Sequence, residues 1–285
     1  MNDYLSLAII AALEAGRSIM DVYTDPSADF GIEHKADNSP LTRADKIAHT
    51  CIMRHLEPTG IPVLSEEGAH LPYETERCHW RRLWIVDPLD GTKEFIKRNG
   101  EFTVNIALVE DGTPVAGVIY VPVKQQLYVG QSSLHPAPAS QAEEWAVADW
   151  MHFTEAPAAW RIDNAESNPT VTTLPAPRDA ERPFRVVASR SHLSAETADF
   201  IEVLRRHHPD LEMVSSGSSL KICLVAEGQA DIYPRHAPTM EWDTAAGNAI
   251  ATAAGCEVID ASTKQPLTYN KADLHNPWFI VRRNA

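Results

Sequence analysis

The sequence predicts a protein in two parts, an α+β first half and an α/β second half. Two segments with apolar residues at helical spacing open the chain, and several short strands with turn signals follow them. From residue 184 onward, predicted strands alternate with predicted helices. The chain of 285 residues is long enough to bury a large core in such an arrangement.

The first half opens with two predicted helices. Helical spacing predicts the first over residues 5–23, and the step Asp25-Pro26 ends it. Thr42 is a hydroxyl residue suited to cap the second helix, which ends near Leu56, before a proline. Asp111-Gly112 has the composition of a hairpin turn. The strands predicted in this half lie at 61–64, 83–86, 102–109, 115–121 and 126–129.

Residues 131–183 are rich in proline and alanine and show little periodicity. This composition predicts a long connection or insertion, mostly loop, with one short helix near 142–150. It divides the chain into an N-terminal α+β part (1–130), the connection (131–182) and a C-terminal α/β part (183–285).

The C-terminal part is predicted from its regular alternation of short apolar runs and helical patterns. The predicted strands lie at 184–188, 211–214, 230–233, 256–259 and 278–281, and the predicted helices lie at 194–206, 218–227 and 244–254.

Composition bounds the function. Apolar residues make up 44% of the chain and charged residues 22%, as in ordinary globular proteins, and the net charge of −14 argues against binding a nucleic-acid backbone. The negative net charge does not exclude a small anionic ligand, because bound cations can invert the local electrostatic field. The four cysteines are far apart, which predicts reduced thiols in a cytoplasmic protein. We expect neither a signal peptide nor a transmembrane segment.

The most informative stretch is Trp-Ile-Val-Asp-Pro-Leu-Asp-Gly-Thr at residues 84–92. An apolar strand stops at Asp87, and Asp90 follows after a proline. Paired carboxylates at a strand end can hold divalent cations, and the Gly91-Thr92 step can offer N–H groups and a hydroxyl to a phosphate. The stretch predicts a metal-dependent phosphate enzyme.

Two further acidic clusters also fall at a strand end or a helix start, where α/β proteins place ligand sites. They are Glu66-Glu67 and Glu241-Trp242-Asp243. A solvated turn is an alternative interpretation of the first cluster. Capping of the following helix is an alternative for Asp243.

The three acidic motifs resemble those of the inositol monophosphatase superfamily, the magnesium-dependent, lithium-sensitive phosphatases. They are Leu-Ser-Glu-Glu at 64–67, the stretch at 84–92, and Trp-Asp-Thr-Ala-Ala-Gly at 242–247. The segments 35–45, 93–107 and 217–228 look like its CysQ branch, the 3'(2'),5'-bisphosphate nucleotidases. The resemblance fails in the Pro/Ala-rich connection.

This resemblance implies a layered α-β-α-β-α sandwich of the sugar-phosphatase type, with the active site between two subdomains. It implies hydrolysis of the 3'-phosphate of adenosine 3',5'-bisphosphate to AMP and phosphate, with 3'-phosphoadenylyl sulfate as a second substrate, in sulfur assimilation. An inositol or sugar monophosphatase is the first alternative. A catalytically silent, metal-linked nucleotide-binding module is the alternative from another class.

The resemblance also implies the catalytic and metal-binding residues. Two Mg²⁺ ions are expected, with a third, weaker cation near Glu66. Thr92 would position the attacking water with help from Asp45. The alternative interpretation of Asp45 is an acid on the surface of a helix. Glu66 is counted with Thr92 and Asp45 as catalytic. The first Mg²⁺ would be held by Glu66, Asp87 and the Leu89 carbonyl, and the second by Asp87, Asp90 and Asp243.

Substrate selection is expected from the second half of the chain. Gly91 and Thr92 would hold the reacting phosphate, and Lys221 would meet the second phosphate as a point charge. His192 could instead be a surface histidine, and Lys221 a surface lysine. The expected binding partner is a small nucleotide substrate. A homodimer is possible on this resemblance, and bacterial relatives can associate with the inner face of the membrane. The residues matched to nucleotide selection are Ser189, His192, Gly217 and Lys221, and Arg235 is weighted lower.

Overall fold

The computed structural model of this protein describes residues 4–27, 29–35, 39–69, 71–132, 157–177, 181–188 and 194–283. The helices are α1 (Tyr4–Thr24), α2 (Arg43–Leu56), α3 (Thr92–Ile96), α4 (Ala195–His207), α5 (Leu220–Ala226) and α6 (Ala245–Ala253). The strands are β1 (Glu33–His34), β2 (Pro40–Leu41), β3 (Val63–Ser65), β4 (Arg82–Asp90), β5 (Thr103–Glu110), β6 (Thr113–Val121), β7 (Gln126–Gln131), β8 (Ala158–Asp163), β9 (Thr170–Leu174), β10 (Arg185–Ala188), β11 (Glu212–Ser215), β12 (Ile232–Arg235), β13 (Cys256–Asp260) and β14 (Phe279–Arg283).

Each element predicted outside 131–183 is confirmed to within a few residues. Helix α2 begins after Thr42, whose side chain accepts a hydrogen bond from the backbone N–H of Ala44. The short elements β1, β2 and α3 were not predicted, because two to five residues are too few to show a period.

The first sheet has seven strands in the order β3-β4-β5-β6-β7-β8-β9. Strands β3 and β4 run parallel, and the other neighbours pair antiparallel. The chain turns between β5 and β6 at Asp111-Gly112, where both residues have positive φ. The predicted hairpin turn is therefore confirmed.

The prediction of a loop is wrong for residues 158–163 and 170–174, which form β8 and β9. Strand β8 pairs with β7 along its full length and buries Ala159, Trp160 and Ile162. Prolines flank both strands in sequence, so local composition resembles a loop while pairing with β7 stabilises a strand. The helix predicted near 142–150 lies outside the described residues.

The second sheet has five strands in the order β11-β10-β12-β14-β13. Strand β10 is parallel to β11 and to β12, whereas β14 is antiparallel to β12 and β13. Helices connect the parallel strands, as the alternating pattern predicted.

The elements stack in five layers. Helices α1 and α2 pack on one face of the first sheet, α5 and α6 fill the space between the two sheets, and α4 covers the outer face of the second sheet. The expected α-β-α-β-α sandwich is confirmed. Within the described parts of the chain, no helix is long and apolar enough to cross a membrane.

Two glycines let α6 lie directly on the first sheet. A Cβ at Gly117 of β6 would stand 2.3 Å from the carbonyl oxygen of Ala246, and one at Gly130 of β7 would stand 2.5 Å from the Cα of Ile250. Because Asp243 lies just before α6, this close approach fixes its position relative to the first sheet.

Candidate active site

Strand β4 carries the first two acids of the site. It extends beyond the predicted residues 83–86 to Asp90, and its pairing with β5 shifts register between Asp87 and Asp90. The backbone N–H of Leu89 donates to Oδ1 of Asp87 over 3.0 Å. Gly91 then turns the chain into α3 with a φ of 95°, which favours glycine. The register shift explains how both carboxylates, three residues apart, lie at the same strand end.

Glu66 and Asp243 join this pair. Burial raises the pKa of Asp87 well above its ordinary value, and the negative charges of Glu66, Asp90 and Asp243 raise it further. Burial, followed by repulsion from Asp90, raises the pKa of Asp243 to about 8. The structure thus brings together four carboxylates from β3, β4 and the start of α6.

Lys35 neutralises the outer edge of this cluster. Its Nζ lies 2.6 Å from a carboxylate oxygen of Glu66 and 2.6 Å from one of Glu67. Burial alone would lower the pKa of Lys35, but the two carboxylates raise it above its ordinary value. Glu66 and Glu67 are mostly buried and ion-paired, so the solvated-turn alternative is wrong.

The inner acids have no such partner. Among the residues that the structure describes, no lysine or arginine forms an ion pair with Asp87, Asp90 or Asp243. Oxygen donors of this kind are the ligands that Mg²⁺ prefers. The raised pKa values of the buried Asp87 and Asp243, and the lack of a paired cation, therefore fit a divalent metal ion at this cluster. The oxygens that could hold it belong to Glu66, Asp87, Leu89, Asp90 and Asp243.

Thr92 and Asp45 lie beside the acids as predicted. The Thr92 hydroxyl lies 3.1 Å from Oδ1 of Asp45 and 3.4 Å from the carbonyl oxygen of Leu89. The other oxygen of Asp45 accepts from the Thr42 backbone N–H at 2.7 Å and from the Thr42 hydroxyl at 2.5 Å. Asp45 is only 2% exposed, so the surface-acid alternative is wrong. Burial raises its pKa, although the hydrogen bonds from Thr42 lower it.

Sequence reasoning missed Ser219, which connects the two halves of the site. Its backbone N–H and hydroxyl each lie 2.6 Å from Oδ2 of Asp90. The hydroxyl also lies 2.7 Å from the carbonyl oxygen of Asp243 and accepts from the Asn105 side-chain amide at 2.9 Å. Both residues fall in segments already matched to the CysQ branch, but no local pattern connects them. We call Ser219 with Asn105 the Asp90 support.

A cavity of about 430 Å³ opens next to Asp90 and Asp243. Lys221 is 7% exposed at its wall and donates to the carbonyl oxygen of Ser218 over 2.5 Å, so the surface-lysine alternative is wrong. Burial lowers the pKa of Lys221 to about 8, despite the nearby charge of Asp90. Gly91, Gly217 and Arg235 also line this cavity.

Gly217 and Arg235 both contribute to this cavity. A Cβ at Gly217 would stand 3.0 Å from the Cβ of Glu101, so a glycine allows the close approach. Arg235 lines the same cavity as Lys221, and its guanidinium donates to the carbonyl oxygen of Pro238. Ser189 and His192 lie outside the described residues, and their substrate contacts stay predictions.

The fold is a five-layered sandwich, and its acidic cluster, which fits a cation, lies where the first sheet meets α5 and α6. This is the architecture of metal-dependent sugar-phosphatase folds. A sequence profile of the inositol monophosphatase family matches residues 1–278, and the chain belongs to this family.

Two curated relatives and one crystal structure are similar along nearly the whole chain. The 3'(2'),5'-bisphosphate nucleotidase CysQ of Shigella flexneri is 48% identical over 274 residues, covering 95% of this chain and 96% of that protein. CysQ of Salmonella typhimurium is 45% identical over 273 residues, with the same shares. The crystal structure of CysQ from Bacteroides thetaiotaomicron is 50% identical with a TM-score of 0.81, covering 98% of this chain and 97% of the other.

Proposed function

We propose that this chain is an Mg²⁺-dependent 3'(2'),5'-bisphosphate nucleotidase that converts adenosine 3',5'-bisphosphate to AMP and phosphate. The observation that carries the proposal is the junction of a buried acidic cluster with a cavity that contains Lys221 and Arg235. An acidic cluster alone serves any phosphate ester. Lys221 and Arg235 in the adjoining cavity suit a substrate with a second phosphate that does not react.

Enzymes of this family depend on a metal, generally Mg²⁺. In our proposal, Glu66, Asp87 and the Leu89 carbonyl hold one ion, Asp87, Asp90 and Asp243 hold a second, and a third binds weakly near Glu66. When bound, Mg²⁺ neutralises the buried acids, lowers the pKa of water and stabilises charge on phosphate oxygens. The raised pKa values of Asp87 and Asp243 support this assignment, because a cation relieves their mutual repulsion.

Thr92 and Asp45 would orient the attacking water. The Thr92 hydroxyl donates its single hydrogen toward Asp45, so its lone pairs are free to accept a hydrogen bond from water. Asp45 is held rigidly for this task, because its second oxygen is already bound by Thr42. Glu66, which belongs to the acidic cluster, is counted with them as catalytic in this proposal.

The substrate would lie across the cavity. The backbone N–H groups of Gly91 and Thr92 hold the 3'-phosphate, and Lys221 meets the 5'-phosphate. Gly217 leaves room for the nucleotide next to Glu101. Ser189 and His192 complete the nucleotide contacts.

A panel of phosphate esters with Mg²⁺ tests the substrate. We expect phosphate release to be fastest from adenosine 3',5'-bisphosphate, slower from 3'-AMP, and slowest from inositol 1-phosphate and AMP. 3'-Phosphoadenylyl sulfate tests the second substrate. Faster release from inositol 1-phosphate would favour the inositol phosphatase alternative. Binding without Mg²⁺-dependent release from any ester would favour the catalytically silent module.

Asp90→Asn tests the metal assignment. One metal loses a charged ligand, so we expect kcat to fall by more than the roughly 10–100-fold that loss of an outer supporting partner causes. The fold, followed by circular dichroism, should be retained. Asp111→Asn is the matched control, because Asp111 pairs only with the exposed Arg81 at a hairpin turn. Equal activity of both variants would contradict the two-metal assignment.

A further inference from the structure

A second group of metal-binding side chains lies between α1 and α2, away from the acidic cluster. Cys51 and His55 are four residues apart on α2, so they lie on one face of the helix. Glu14 faces them from α1. One ligand atom of each residue lies within 4.8 Å of the other two, and Nε2 of His55 lies 2.8 Å from Oε2 of Glu14.

The solvent exposure of these three side chains increases from Cys51 through His55 to Glu14. Cys51 is 6% exposed, the His55 side chain 19% and the Glu14 side chain 38%. A thiol, an imidazole and a carboxylate are the donor types that Zn²⁺ accepts, and three protein ligands leave a fourth tetrahedral position for water. The partly exposed carboxylate provides a path for entry from solvent.

We propose that Glu14, Cys51 and His55 bind a thiophilic divalent cation such as Zn²⁺ and thereby clamp α1 to α2. The two helices form the outer layer on the first sheet, so the clamp acts on the stability of the fold. The site is independent of the Mg²⁺ site and of the proposed nucleotidase activity.

Arg54 contacts two of these three side chains. Its NH2 group lies 3.4 Å from Oε2 of Glu14 and 3.6 Å from Sγ of Cys51. The Arg54 side chain is 70% exposed, so it can rotate into solvent when a cation enters. The cation also displaces the thiol proton of Cys51: the S–H bond breaks, a metal–sulfur bond forms, and the proton passes to solvent.

Co²⁺ binding tests the proposal with a spectrum that reports the thiolate. The purified full chain is titrated with Co²⁺ in excess Mg²⁺, which keeps the carboxylate site filled. We expect one thiolate-to-cobalt charge-transfer band that saturates at one Co²⁺ per chain and disappears when Zn²⁺ is added. Cys51→Ala and His55→Ala should each abolish the band. Cys78→Ser, which changes an exposed free cysteine, should retain it.

Arg54→Met separates a metal site from a simple ion-pair network. Removing a competing exposed cation should tighten Co²⁺ binding by about two- to fivefold, the range of exposed ion pairs. Glu14→Gln, a surface change that keeps the fold, should weaken binding. Zn²⁺ should raise the Tm of the wild-type chain but not that of Cys51→Ala.

Three results would overturn the proposal. They are the absence of a charge-transfer band in the wild-type chain, a band that survives in Cys51→Ala, and weaker Co²⁺ binding in Arg54→Met. In each of these cases, Glu14, Arg54 and His55 form only an ion-pair network between helices.

Discussion

Asp45 and Asp243 each accept hydrogen bonds at a helix start with one carboxylate oxygen, and both lie in the candidate active site. One oxygen of Asp45 accepts from Thr42 at the start of α2, and the other accepts from Thr92. Oδ2 of Asp243 accepts from the backbone N–H of Met240 over 2.8 Å, while its charge raises the pKa of Asp87. From sequence, capping is the alternative to catalysis for Asp243, and a helix-surface acid is the alternative for Asp45. In the structure, the capping hydrogen bonds hold the acids rigid for their position in the site.

Ser219→Ala tests the Asp90 support. The change removes a hydroxyl that bonds to Asp90, to the Asp243 carbonyl and to Asn105. Because outer partners orient metal ligands, we expect apparent Mg²⁺ affinity or kcat to fall by about 10–100-fold. Ser219→Thr should recover most of the loss. Full Mg²⁺ affinity in Ser219→Ala would show that the backbone N–H of residue 219 alone orients Asp90.

Lys221→Gln tests the contact to the second phosphate. Hydrogen bonds to charged groups contribute about 1.5–3 kcal/mol, so kcat/KM for adenosine 3',5'-bisphosphate should fall by about 10–100-fold. The matched substrate is 3'-AMP, which has no 5'-phosphate and should lose little. A similar loss with both substrates would contradict the assignment.

The pH profile gives a second test of Lys221. Burial lowers its pKa to about 8, so the ammonium is present below that pH and is lost above it. The preference of the wild-type chain for the bisphosphate over 3'-AMP should therefore decline as the pH rises through about 8.

At the scale of elements, contact between α6 and the first sheet positions the start of α6. Gly117→Ala would force a Cβ against the Ala246 carbonyl oxygen, which is backbone and must shift. Overpacking of this kind typically lowers the free energy of unfolding by about 1–3 kcal/mol. Because Asp243 shifts with the helix, Mg²⁺ affinity should fall as well.

Gly255→Ala is the matched control for that change. Gly255 lies at the other end of α6 with a φ of 80° and open space around it. An alanine there costs about 1–2 kcal/mol through its backbone conformation, but it should leave Mg²⁺ affinity unchanged. Denaturant unfolding and Mg²⁺ titration of both variants check the comparison. Equal Mg²⁺ affinity in the two variants would contradict the positioning role.

In the whole molecule, the site lies between two parts of the fold, and each part contributes different side chains to it. Glu66, Asp87 and Asp90 come from the first sheet, whereas Asp243 and Lys221 come from helices between the sheets. Binding of Mg²⁺ therefore couples to the stability of the whole fold. A ligand at about 100 times its Kd stabilises the native state by about 2.7 kcal/mol.

The stabilisation by Mg²⁺ should grow with pH. Asp243 has its pKa raised from 3.8 to about 8, so its ionisation costs the metal-free fold stability as pH rises through this window. Chelation with EDTA should lower the Tm more at pH 8, at the upper end of this window, than at pH 5, where the folded Asp243 is still protonated. Asp243→Asn should show a smaller and flatter Mg²⁺ effect. A Tm that Mg²⁺ does not change at pH 8 would contradict the cation site.

Local sequence patterns predict the acidic motifs and the helices and strands outside 131–183, except the short elements β1, β2 and α3. Periodicity and short motifs are local, so they can be recognised before any fold is known. The tertiary structure decided what depends on contacts between distant residues. Strand β8 forms by pairing with β7, Ser219 reaches Asp90 across 129 positions of the chain, and Glu14 meets Cys51 and His55 only because α1 packs on α2. Such contacts leave no local pattern, because partners on separate elements are brought together by packing alone.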